Sequence, residues 1–263
     1  MDHRPVGIMD SGLGGISVLG EMLRVLPNEN FVYYGDTSHI PYGDKPPEKV
    51  FAYAHQAVDQ LIEQGCKAVV IACNTATSVA AARLRQELTL PVIGMEPALK
   101  PAAMMPGQGR ILVMATHVTL TQPKFQSLMQ RYGQDAIPLP CPGLMECVEA
   151  GQMSGPRVDR LLDTLLAPYQ DTPIKAVVLG CTHYPFLRGA IAAHLPPGTP
   201  LIDGSLGTAR QLKRRLQEEN LASDGPGGQV TFLSSMAGQQ PITQMQRLLD
   251  WWRQNDTGRV AAD

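Results

Sequence analysis

The chain has 263 residues, 44% of them hydrophobic and 17% charged, enough to bury one sizeable core or two modest ones. A net charge of −2 without a long Lys/Arg run gives no electrostatic support for a nucleic-acid or membrane-surface partner. Met1-Asp-His-Arg-Pro is not followed by the apolar region of a secretory signal, and no uninterrupted apolar stretch reaches membrane-spanning length, so a cytoplasmic protein is expected.

In chain order, Val6 to Asp10 reads as a strand entering the glycine turn Ser11 to Gly15. A helix follows on Ile16, Leu19, Leu23 and Leu26, stopped by Pro27. Asn30 to Tyr34 is the next strand, then a polar loop from Gly35 to Gly43. Pro46 and Pro47 open a long amphipathic helix closed by Gly65. Ala68 to Ala72 is a buried strand ending at Cys73, followed by a helix through Arg83 and Glu87 and a short strand to Gly94. Prolines at 97 and 101 mark a connection between two domains.

The pattern then starts again. Arg110 to Ala115 is a strand ending in Thr116, with a helix around Lys124 to Arg131 and a short strand from Ala136 to Leu139. Helices are expected at Leu144 to Ala150 and Arg157 to Ala167, before a second strand that ends at a cysteine, Cys181. Ala68-Val-Val-Ile-Ala-Cys-Asn-Thr75 and Ala176-Val-Val-Leu-Gly-Cys-Thr-His183 match position for position in their apolar run and cysteine. The order strand–helix–strand–helix–strand therefore occurs twice. This predicts an α/β protein of two pseudo-symmetric domains, each a mainly parallel sheet flanked by helices. The last block, with a helix from Gly207 to Glu219, a strand near Gln229 to Leu233 and a helix near Ile242 to Arg253, is too small to stand alone. It is assigned to the first domain, giving boundaries of 1–97 plus 208–263 and 98–207. Thr257 to Asp263 reads as a frayed tail.

Five cysteines, an odd number with no C-x-x-C pair, argue against a disulfide framework. Cys66, Cys141 and Cys147 read as small core or loop residues; Cys73 and Cys181 stand at strand ends. Ligands bind at the carboxyl ends of strands in open α/β sheets, and Asp10, Asn74, Thr75, Thr116, Thr182 and His183 fall there too. Asp10 either caps the following helix or faces a crevice. The glycine turn lacks the full dinucleotide-binding spacing, since position 17 is Ser; it is a plain turn or one that offers N–H groups to a small anion such as a carboxylate. Cys181-x-His183 is not a standard zinc spacing. A cysteine hydrolase would use one thiol and leave its match idle. The reaction that employs both thiols is inversion at a carbon with one weakly acidic hydrogen, one base on each face.

The motifs Asp10-Ser-Gly-Leu-Gly-Gly15, Gly35-Asp-Thr-Ser-His-Ile-Pro-Tyr-Gly43, Ala72-Cys-Asn-Thr-Ala-Thr77 and Gly180-Cys-Thr-His-Tyr-Pro185 together resemble the cofactor-independent aspartate/glutamate racemase family, its glutamate racemases above all. The likeness covers nearly the whole chain. It implies an active site in the cleft between the two domains, with Cys73 and Cys181 as the two proton donors and acceptors. It implies that Asp10 assists Cys73, that His183 assists Cys181, and that Glu149 orients His183. Substrate contacts are implied for Asp10, Ser11, Pro41, Tyr42, Gly43, Asn74, Thr75, Thr116, Thr182 and His183. The family makes D-glutamate for bacterial peptidoglycan without PLP, metal or nucleotide, and the implied assembly is a homodimer. Ser38-His39 departs from the Ala-Arg of many relatives, and Met9 from a Phe or Val. Aspartate or another small amino acid is the competing substrate; a binding protein that kept only the fold is the competing class. His39 and His117 read as loop or capping residues, and Trp251-Trp252 as helix packing.

Overall fold

The computed structural model describes residues 1–255; the tail expected at 257–263 lies outside the described residues. The strands in chain order are β1 (Val6–Asp10), β2 (Phe31–Gly35), β3 (Ala68–Ile71), β4 (Val92–Gly94) and β5 (Arg110–Ala115). They continue with β6 (Ala136–Pro140), β7 (Ile174–Leu179), β8 (Leu201–Asp203) and β9 (Val230–Ser234). The helices are α1 (Ile16–Val25), α2 (Pro47–Glu63), α3 (Asn74–Glu87), α4 (Leu99–Met104), α5 (His117–Thr121) and α6 (Pro123–Tyr132). After them come α7 (Leu144–Glu149), α8 (Pro156–Leu166), α9 (Arg188–Ala193), α10 (Ser205–Glu218) and α11 (Gln239–Asn255).

Two sheets result, both wholly parallel. One has the order β4-β3-β1-β2-β9 and the other β6-β5-β7-β8. Helices cover them, so β1 and β3 are buried along their whole length and are apolar throughout except for Asp10 at the end of β1. The helix α2 starts with Pro47 in its first turn and lays Val50, Ala54, Ala57, Val58 and Leu61 against the sheet; Gly65, at φ +74°, turns the chain into β3. On the opposite face, α1 buries Ile16, Val18, Leu19 and Met22 in a core shared with α10 and α11. Trp252 packs edge-on against Phe186, and Trp251 beside it at 5.6 Å.

Two helices depart from the reading of the sequence. The proline-marked connection contains α4: Pro101 sits in its first turn, where the missing N–H has no helical partner to lose. The strand β5 leads into α5, whose five residues are too few to show helical periodicity. Among the described residues no helix is long and apolar enough to cross a membrane.

Candidate active site

The carboxyl ends of β1, β3, β5 and β7 and the loop after β2 converge on one cleft between the sheets. Its lining includes Ser11, Tyr42, Cys73, Asn74, Thr116 and Cys181, with Pro41, Gly43, Thr75, Thr182 and His183 around them. The cleft is narrow, with a cavity volume of about 20 Å³.

The two thiols reach this cleft by different local routes. Cys73 is the N-cap of α3, and its Sγ accepts hydrogen bonds from Ala76 N and Ser11 Oγ, each at 3.4 Å. Burial first, and then the charge of Asp10, push its thiol up to about 12. Cys181 instead leads into a short 3₁₀ turn, Tyr184–Leu187, which folds the His183 ring back so that Nδ1 lies 3.5 Å from Sγ. The other ring nitrogen of His183 meets Glu149 Oε1 at 2.5 Å. Burial of His183 disfavours its charged form, but the contacts with Cys181 and Glu149 outweigh that and hold its pKa well above the ordinary imidazole value.

Asp10 is fully buried. Oδ1 accepts from Gly12 N at 3.0 Å, and Oδ2 from the Thr182 hydroxyl at 3.1 Å, across the cleft. Burial raises its carboxyl above the usual range, with the charge on His183 pulling the other way. It does not cap α1, whose N-cap is Gly15. The glycine turn offers an N–H to a carboxylate of the protein itself: Leu13 N donates to Glu149 Oε1 at 2.8 Å. The turn must be glycine because the opposite wall is so near. A Cβ on Gly14 would lie 2.4 Å from His183 Nδ1, and one on Gly12 2.5 Å from Glu149 Oε1.

Asn74 is 4% exposed, and neither its side-chain nitrogen nor its oxygen has a hydrogen-bond partner. Leaving such groups unpaired costs about 1–3 kcal/mol each, which marks a position kept for something other than stability. Thr75 and Thr116 meet across the cleft at 3.0 Å, each also bonded to Thr119. Tyr42 lines the cleft, but its hydroxyl is committed to Asp36 Oδ2 at 2.6 Å. His117 is exposed in the first turn of α5. Sequence reasoning missed Thr119, Asp36 and Met145; only the Thr116-x-x-Thr119 spacing at a helix start was a usable signal. Among the described residues no group of three or more His, Cys, Asp or Glu side chains is placed to hold a metal ion.

The chain is similar to known proteins along most of its length. Residues 17–212 match the model of the Asp/Glu/Hydantoin racemase family. Glutamate racemase from Clostridium perfringens is 46% identical over 254 residues, spanning 95% of this chain and 98% of its own. The crystal structure of Thermus thermophilus glutamate racemase in complex with β-chloro-D-alanine superposes with a TM-score of 0.79 at 36% identity, covering 94% of each chain. That of Escherichia coli glutamate racemase, in complex with L-glutamate and the activator UDP-MurNAc-Ala, gives 0.83 at 30% identity over 95% of each.

Proposed function

This chain belongs to the Asp/Glu/hydantoin racemase family, and we propose that it interconverts L- and D-glutamate by two-thiol proton transfer at the α-carbon. One observation carries the reading: cysteines from matched strand ends line a single cleft. In each turnover one sulfur, as thiolate, takes the α-proton from its face of the substrate. The electron pair left behind flattens the carbon, and the other sulfur, as thiol, returns a proton from the opposite face. Charge and proton count balance, and the enzyme ends with its two thiols exchanged in state.

The surroundings divide the work. Cys73, pushed up to about 12, rests protonated and is the ready acid. Cys181 has a positively charged imidazole at 3.5 Å that holds its charge as the thiolate forms, and Glu149 keeps that imidazole charged and oriented. Asn74, with both polar atoms unpaired, together with Ser11, Thr75, Thr116 and Thr182, supplies hydrogen-bonding groups for the amine and the two carboxylates of the substrate. The segments 1–97 with 208–255 and 98–207 act as the two bodies that part to admit it. A homodimer is the assembly implied by the family, and D-glutamate for peptidoglycan the use of the product. A cytoplasmic setting fits five cysteines that are all free.

The test is incubation of the protein with L-glutamate or L-aspartate in D₂O, with EDTA present. Glutamate gains α-deuterium and loses optical activity while aspartate stays unchanged; aspartate turning over in place of glutamate would reassign the substrate.

A further inference from the structure

The loop Asp36 to Gly43 carries one wall of the cleft, Ile40 to Gly43, and is fastened at several points. Asp36 N donates to Asp10 O at 2.9 Å, Thr37 and Ser234 share a hydroxyl contact of 2.7 Å, and Ser38 N donates to Ser235 Oγ at 3.0 Å. At the far end Lys45 Nζ donates to Pro41 O at 3.0 Å. Between them lies the Asp36 carboxylate, 3% exposed, in a place where an ionised group needs donors. It has two. The Tyr42 hydroxyl donates to Oδ2 at 2.6 Å, and His39 Nδ1 approaches Oδ1 and Oδ2 at 2.8 and 3.0 Å. The His39 ring also lies flat on Tyr53 of α2, with centroids 3.9 Å apart and planes within 14°.

We propose that His39 is a positioning residue for the substrate: its Nδ1–H fixes the plane of the Asp36 carboxylate, which in turn fixes Tyr42 and the Pro41–Gly43 wall of the cleft. A carboxylate held by Tyr42 alone can swing about its Cβ; a second donor across both oxygens removes that freedom. The consequence reaches the cleft because the wall is close to its opposite side. A Cβ on Gly43 would stand 3.0 Å from Thr116 Cβ, so a small tilt of Tyr42 and Gly43 changes the gap that a ligand must fit. His39 lines neither the cleft nor either sulfur, so its effect falls on substrate binding and leaves the proton transfers alone. The inference rests on reading the cleft as the glutamate site.

Two substitutions separate its two contacts. His39→Phe keeps a flat ring on Tyr53 and loses the donor; His39→Asn keeps an N–H near Nδ1 and loses the stack. His39→Phe raises KM for glutamate roughly fivefold with kcat within about twofold, while His39→Asn stays within about twofold on both. An unchanged KM in His39→Phe overturns the proposal, and so does a His39→Asn variant as impaired as His39→Phe, which would assign the effect to stacking. Wild-type protein that racemises no glutamate is a failure of the function proposed above, not of this inference. In that case thermal unfolding of His39→Phe, Tyr42→Phe and the double variant decides. Losses smaller in the double than the sum of the singles support one unit on Asp36, and additive losses overturn it.

Discussion

Cys73 and Cys181 end strands of nearly the same sequence, yet the groups around them differ in kind. The first caps a long helix, accepts from a hydroxyl and a backbone N–H, and keeps its proton through burial first and the charge of Asp10 second. The second adjoins a charged imidazole backed by a carboxylate. The three residues after each cysteine make the difference: Asn-Thr-Ala begins α3 at once, whereas Thr-His-Tyr turns tightly and brings a side chain back to the sulfur. Duplicated topology thus supplies position, and local sequence supplies the chemistry on each side.

The sharpest way to break the comparison is to remove a thiol. Cys73→Ala and Cys181→Ala each lose about a thousandfold or more in racemisation, by polarimetry, because inversion needs both faces served. Near-normal turnover in either variant would refute the two-thiol account. Next in size is Glu149→Gln, which keeps an acceptor for Leu13 N and removes only the charge. The pKa of His183 falls towards its ordinary value, and the reaction slows roughly tenfold. At saturating substrate kcat falls further in the direction that starts with Cys181 as base, with KM falling in step, because kcat/KM must stay equal for two enantiomers of equal free energy. Equal falls in the two kcat values would make the two sides alike.

Asn74→Ala is expected to raise KM roughly tenfold without lowering the melting temperature, since it removes two buried polar atoms that have no partner. A stability loss alongside unchanged KM would make Asn74 a structural residue. The smallest effect concerns alkaline pH. Burial raises Cys66 and Cys73 from 9.0 to about 12, so the folded chain keeps protons that the unfolded chain gives up. The stability this contributes is whole below about pH 9 and is lost as pH rises through about 12. Calorimetry from about pH 8 to about pH 11 should show the unfolding midpoint falling past pH 9.

Much of this site was legible in the sequence because parallel strands are continuous apolar runs, and their ends are where small polar residues and cysteines stand out. Asp10, Cys73, Thr116 and Cys181 could be located that way before any coordinates. Glu149 could not be settled by its helix alone; its contacts come from the Ser11 to Gly15 turn and from His183, both distant in sequence. The spacing of the glycine turn likewise says nothing about which carboxylate it meets. Thr119 was missed because its partner Thr75 is distant in sequence, and Asp36 because the loop must fold back on itself before the Tyr42 hydroxyl reaches it. The short helices α4 and α5 lay below the length at which periodicity speaks.

The central claim is that the two sulfurs serve opposite faces of one carbon, and solvent deuterium tests it most directly. Each single-cysteine variant, Cys73→Ala and Cys181→Ala, is incubated separately with L- and D-glutamate in D₂O and followed by proton NMR at the α-position. Each variant should exchange the α-hydrogen of one enantiomer only, the two variants choosing opposite enantiomers, with little racemisation. Exchange of both enantiomers by one remaining thiol, or of the same enantiomer by both variants, would contradict the account.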